Sequence, residues 1–195
     1  MPPFVGLTGG IGAGKSTALA ALQRLGAAVL STDAVVHELY ESDELRDAVV
    51  ARFGPEVAPG GVVSRPALAE RAFATPEDRA WLEGLIWPRV AERVGAFRQE
   101  GEAASPPPRA LVIETPLLFE AGMDGMYDAT IAVVVDERVR ADRASARGHR
   151  ALDERAARQL TQDEKAARAT YVVVNDGTVA QLEQKLSSIL DMLAT

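Results

Sequence analysis

The sequence predicts an α/β fold built on a doubly wound, five-stranded parallel sheet, and three observations predict it. Five short apolar runs rich in β-branched residues read as buried parallel strands: Phe4 to Leu7, Ala27 to Leu30, Ala110 to Ile113, Ala129 to Val135 and Tyr171 to Val174. Helical patterns separate the runs, and that alternation belongs to strand–helix–strand units with ligands beyond the carboxyl ends of the strands. Directly after the first run comes Gly9-Gly10-Ile11-Gly12-Ala13-Gly14-Lys15-Ser16, which fills the pattern G-x-x-x-x-G-K-[ST] and opens a helix through Thr17 to Leu22.

That octapeptide is a phosphate-binding loop, and it narrows the fold to the P-loop NTPases. Backbone N–H groups of Gly10, Gly12, Ala13 and Gly14 must turn inward around phosphates, which bulky side chains would obstruct. The helix of Lys15, Ser16 and Thr17 points its positive end at the same anion. Lys15 is expected to reach the β- and γ-phosphates of ATP, and the Ser16 hydroxyl to ligate the Mg²⁺ that bridges them. The competing reading is a glycine-rich turn with an exposed lysine, which the full pattern in its strand-then-helix setting disfavours.

After the second run, Asp33 stands at a strand end, where it serves either as a general base or as the N-cap of the next helix. Residues 35–108 have no strand pattern and are too many for a simple crossover, so they form a helical insertion. Thr75-Pro76-Glu77-Asp78 starts its long helix, which runs through Trp81, Leu82, Leu85, Ile86 and Val90 with a bend expected at Pro88. Ser105-Pro106-Pro107-Pro108 is a stiff connector back to the sheet. Glu114 follows the third run, either holding a Mg²⁺-bound water or capping a turn.

After the fourth run the charge changes. The chain carries a net −7, yet seven arginines fall between Arg138 and Arg158 against only Asp142, Asp153 and Glu154. Arg140, Arg143 and Arg147 share one helix face, so the segment from about 137 to 168 is expected to be a helical lid. Its arginines are phosphate clamps or, alternatively, surface ion pairs. Asn175 follows the fifth run, as an adenine-edge contact or an Asx turn. The last helix has Thr178 as N-cap, Gln181 completing a capping box, and Val179, Leu182, Leu186, Ile189, Leu190 and Leu193 on one stripe. The division is thus a nucleotide-binding core of residues 1–34 and 109–195, and a helical subdomain of 35–108.

Composition excludes several functions. With no cysteine, disulfides and thiolate chemistry are absent, and two isolated histidines, His37 and His149, argue against zinc. The acidic balance argues against a nucleic-acid partner. No apolar run approaches membrane-spanning length and Met1-Pro2-Pro3-Phe4 carries no basic region, so a cytoplasmic chain without signal or anchor is expected. Oligomeric state leaves no trace in the sequence.

In order along the chain, these motifs resemble the dephospho-coenzyme A kinase family. Leu7-Thr8-Gly9-Gly10-Ile11-Gly12-Ala13-Gly14-Lys15-Ser16-Thr17 is similar to its P-loop, and Asp33 to the second acid of its Asp-x-Asp, with Ser31 replacing the first. Arg65-Pro66-Ala67-Leu68 with Phe73, Thr115-Pro116-Leu117-Leu118-Phe119-Glu120, the lid residues Arg143, Arg147 and Gln159, and Asn175-Asp176-Gly177 complete the likeness, with Glu114 where an Asp is common. Trp87-Pro88 departs from the family's His-Pro. The resemblance implies transfer of the ATP γ-phosphate to the ribose 3′-hydroxyl of dephospho-coenzyme A, with Asp33, Arg65, Trp87 and Pro88 toward the acceptor. Core packing is the alternative for Trp87, and Pro116 to Phe119 pack rather than touch substrate. Lys15, Asp33, Arg143 and Arg147 are then the catalytic set. A P-loop kinase for another small acceptor and a non-enzymatic ATP-binding module are the competing functions; a GTP switch is disfavoured because the one asparagine is not in an Asn-Lys-x-Asp run.

Overall fold

The computed structural model of the chain describes residues 1–136 and 159–194. Arg143 and Arg147, with the rest of the arginine-rich segment up to residue 158, lie outside the described residues. The chain divides into two compact units, Met1–Ser31 with Phe97–Thr195, and Thr32–Ala96. The second unit is thus shorter than the 35–108 segment set apart by sequence, because the division falls inside one long helix.

The strands are β1 (Phe4–Gly9), β2 (Ala28–Ser31), β3 (Leu111–Glu114), β4 (Ala129–Val134) and β5 (Tyr171–Val174). Numbered over the described residues, the helices are α1 (Lys15–Arg24), α2 (Thr32–Glu41), α3 (Asp43–Phe53), α4 (Arg65–Ala72), α5 (Pro76–Ala103), α6 (Gln162–Arg168) and α7 (Val179–Leu193). All five strands belong to the first unit and pair in parallel in the order β2-β3-β1-β4-β5, so β1 is central. Every residue of β1 is buried, as expected of a strand covered on both faces. Val5, Leu7, Val112, Ile131 and Val133 of the sheet join Leu22 of α1 and Leu182, Leu186 and Leu190 of α7 in one core.

β1 is two residues longer than its apolar run, since Thr8 and Gly9 pair with Ala132 and Val133 of β4. Gly9 permits this approach: a Cβ there would stand 2.5 Å from the Val133 carbonyl oxygen. A residue that reads as loop therefore serves as strand. The capping box of α7 forms as expected, with Gln181 N–H donating to Thr178 Oγ1 and Thr178 N–H to Gln181 Oε1. Val179 departs from the expected stripe: it is exposed, so the buried stripe of α7 begins at Leu182.

The second unit is helical, with no strand among its residues, and has its own core of Leu45, Val49, Val57, Leu68, Leu82 and Ile86. Ser42 caps α3, which ends at Gly54 with φ 92°, and Ser64 caps α4. α5 continues through Pro88. Proline offers no N–H to the turn before it, and there the Arg89 guanidinium donates to the Leu85 carbonyl at 2.7 Å. The Arg52 guanidinium hydrogen bonds Asp78, holding that carboxyl below its ordinary range, and lies over the Trp81 ring. Among the described residues no helix is long and apolar enough to cross a membrane.

Two outcomes follow from these contacts. Leu186 is fully buried between α7 and the sheet, so Leu186→Ala should destabilise the protein by about 3 kcal/mol in urea unfolding. Glu164 completes the α6 capping box, where the Thr161 N–H and then its hydroxyl hold the carboxyl below its ordinary range. A lowered folded pKa stabilises fully above the unfolded value of about 4.3 and ceases to do so as pH falls through the folded value. Urea midpoints of the wild type and Glu164→Ala should therefore differ at neutral pH and converge in acid.

Candidate functional site

The site of the first unit begins where β1 ends. Gly12 (φ 82°) and Gly14 (φ 90°) take left-handed backbone that side chains resist, and Ala13 between them is fully buried. Ala13 N–H donates to the Gly10 carbonyl at 3.2 Å and closes the turn. α1 then opens from Gly14 with no side-chain cap and no acid in its first turn, so its own residues do not neutralise its positive end. Lys15 Nζ donates to the carbonyls of Gly9 (3.0 Å) and Gly10 (3.3 Å), folded back on its own loop. Phosphate oxygens are stronger acceptors for an ammonium than these carbonyls. Ser16 and Thr17 are exposed on the first turn of α1.

Two other expected residues join this loop within the same unit. Glu114 is the last residue of β3, level with Leu7 of β1 and Ser31 of β2. Its carboxylate accepts a hydrogen bond from Ser31 Oγ at 2.5 Å. Ser31 thus supplies a donor where a carboxylate would meet a like charge. Asn175 is buried after β5, and its Nδ2 donates to the Ala13 carbonyl at 2.8 Å while its N–H donates to Val134. It braces the P-loop from outside.

Sequence reasoning passed over a buried group beneath the loop. Lys165 of α6 is fully buried, with Nζ donating to Glu120 Oε1 (2.8 Å), the Pro116 carbonyl (2.8 Å) and Thr8 Oγ1 (3.4 Å). Glu120 Oε1 also accepts from Leu160 N–H at 2.8 Å. Gln162 pairs twice with the backbone of Val135, at 3.0 Å each way. The one available signal is compositional: only Lys15, Lys165 and Lys185 interrupt an arginine-dominated set of cations. Burial of a lysine is a tertiary fact that no local pattern announces. Nearby, burial raises the Tyr127 phenol above its ordinary range, and its hydroxyl meets Thr115 Oγ1 at 3.3 Å.

The remaining expected residues belong to the second unit. Asp33 is exposed in the first turn of α2, one residue inside the helix rather than at its cap. Arg65 is exposed at the start of α4. Trp87 is 49% exposed and Pro88 is exposed beside it, so Trp87 is not a core residue of this unit. Among the described residues no group of three or more His, Cys, Asp or Glu could hold a metal. The oxygen donors of Ser16 and Glu114 instead suit Mg²⁺, which takes one or two protein oxygens beside water and phosphate.

Known proteins resemble this chain over its whole length. The family model described as dephospho-CoA kinase (CoaE) matches residues 3–181. A dephospho-CoA kinase of Syntrophotalea carbinolica is 38% identical over 196 residues, covering 97% of this chain and 91% of the relative. A crystal structure from Thermus thermophilus superposes with TM-score 0.80 at 34% identity, covering 100% and 99% of the two chains. A dephospho-CoA kinase structure from Campylobacter jejuni, with TM-score 0.64, 20% identity and 98% and 97% coverage, shares the fold.

The brace on Ala13 gives a direct test. Asn175→Ala leaves the Ala13 carbonyl without its side-chain donor, a change of about 1.4 kcal/mol in loop positioning. Calorimetric titration should show about tenfold weaker binding of a Mg²⁺–ATP analogue, with the fold intact by circular dichroism.

Proposed function

The chain belongs to the dephospho-CoA kinase family, and from that premise we propose the part each residue takes in its reaction. The enzyme transfers the γ-phosphoryl group of ATP to dephospho-coenzyme A, giving coenzyme A and ADP. The observation that carries this at the site is the loop from Gly9 to Ser16, with its left-handed glycines and an uncapped helix start directly after the central strand. Such a loop cradles a polyphosphate through backbone N–H groups.

Gly10, Gly12, Ala13 and Gly14 bind the phosphates, and Thr17 completes the first turn of α1 around them. Lys15 leaves the carbonyls of Gly9 and Gly10 for the β- and γ-phosphates as a compact cation. Ser16 and, through water, Glu114 hold the metal, with Ser31 keeping the Glu114 carboxylate in place. Mg²⁺ bound there would supply positive charge against the phosphates. Asn175 keeps the loop in its binding shape.

Residues 32–96 form the acceptor unit in this proposal. Asp33 accepts the proton of the ribose 3′-hydroxyl and orients its oxygen in line; an exposed carboxylate two residues past β2 suits that role. Arg65, Trp87 and Pro88 recognise the rest of the acceptor, and the exposed indole of Trp87 offers a stacking or apolar face where a histidine would offer a polar one. Arg143 and Arg147 are assigned from sequence alone as clamps for the transferring phosphoryl oxygens. The setting we propose is the cytoplasm, where ATP is supplied.

The decisive experiment is ADP release by the purified protein with ATP and Mg²⁺, run with dephospho-coenzyme A and with nucleoside monophosphates and hydroxy acids. Dephospho-coenzyme A should be the acceptor that supports turnover, with coenzyme A identified by mass; turnover with another acceptor alone would contradict the assignment. In the same assay Asp33→Asn should keep ATP affinity yet lose about 10²- to 10⁴-fold in kcat. Near-normal kcat would remove Asp33 as the base.

A further inference from the structure

We propose that Lys165 is a positioning residue for phosphoryl transfer: its buried ammonium holds the Pro116 carbonyl and the Thr8 hydroxyl together. The spacing between the P-loop and Glu114 depends on that hold. The proposal rests on the assignment of those two groups to the phosphates and the metal.

The backbone ladder between β3 and β1 ends at Thr115, whose N–H donates to the Leu7 carbonyl at 2.9 Å. Past that point side chains join the two strand ends. Thr8 Oγ1 donates to the Pro116 carbonyl at 3.3 Å, and Lys165 Nζ donates to both that carbonyl (2.8 Å) and Thr8 Oγ1 (3.4 Å). The third donor of the ammonium goes to Glu120 Oε1 at 2.8 Å, which balances the charge. Thr8 immediately precedes Gly9, the first residue of the P-loop and an acceptor for Lys15. Pro116 lies two residues past Glu114.

Stability alone gives a poor account of this arrangement. A buried ion pair is often no better for the fold than well-packed apolar side chains of similar size. An apolar side chain, however, cannot fix a carbonyl and a hydroxyl from two strand ends against one point. Errors of about 1 Å in the placement of reacting groups can cost about 10²-fold in rate, so a tie at this place acts on turnover through Glu114 and the loop, without touching substrate.

The test is the double variant Lys165→Met/Glu120→Gln, which removes both charges together and leaves neither buried and unpaired. Measurements are its thermal midpoint, kcat and KM for ATP with dephospho-coenzyme A, and amide hydrogen exchange over residues 8–10 and 114–120. The expected result is a folded protein whose kcat falls about tenfold or more, whose KM for ATP changes less than about threefold, and whose amides in both segments exchange faster. Wild-type kcat in the folded double variant overturns the proposal, as does a loss confined to KM for ATP. Should the double variant not fold, Thr8→Val carries the test: kcat should fall and Thr8→Ser should restore it, whereas wild-type kcat in Thr8→Val overturns the proposal. Absence of turnover in the wild type with dephospho-coenzyme A would instead overturn the kinase assignment. In that case exchange decides separately, since unchanged protection over both segments in the folded variant refutes the positioning role whatever the acceptor.

Discussion

Strand β1 is hydrogen bonded on both sides, to β3 and to β4, and the phosphate chemistry of this chain hangs from its carboxyl end. A parallel sheet sends all its strand ends to one edge, so the central strand delivers its loop between the ends of its neighbours. Gly9 lets β4 come close enough to pair to the end of the strand. The next residues then turn at once through left-handed backbone into α1. Tight pairing up to the turn leaves the loop a fixed origin, and a fixed origin is what preorganised N–H groups require.

Around that origin the fold places side chains that grip backbone more than substrate. Asn175 holds the Ala13 carbonyl, Ser31 holds the Glu114 carboxylate, and Lys165 gathers Thr8, Pro116 and Glu120. A lysine suits the last position in a chain whose other cations are mostly arginines. Its ammonium is a compact donor that can serve acceptors converging from different directions, whereas a guanidinium presents a planar fork. Polar side-chain contacts thus tie together the segments that follow β1, β3 and β5.

The helical unit is organised on a different principle. Its core is formed by short helices with serine caps and by the apolar face of α5, and its exposed groups at Asp33, Arg65 and Trp87 stand on helix starts or helix surface. α5 runs on through its proline, and one residue later a guanidinium serves the Leu85 carbonyl. P-loop cores are shared among kinases for many acceptors, so specificity belongs to what is inserted into them. The indole at position 87 is half exposed on the surface of this unit.

The sequence by itself determined the class of sheet, the phosphate loop, the helical nature of the insertion and the capped terminal helix. Those features are written in local spacing: the G-x-x-x-x-G-K-[ST] run, β-branched apolar stretches, and Thr178 three residues before Gln181. The family motifs added the acceptor. Only the tertiary structure decided that Gly9 is strand, that Val179 is exposed, that Asn175 turns its amide onto Ala13, and that Lys165 is buried against Glu120. The physical reason is range. Periodicity and capping act within a turn or a strand, whereas Asn175 and Ala13 are 162 residues apart and Lys165 and Thr8 are 157 apart. Contacts of that separation exist only once the sheet has brought the strand ends together.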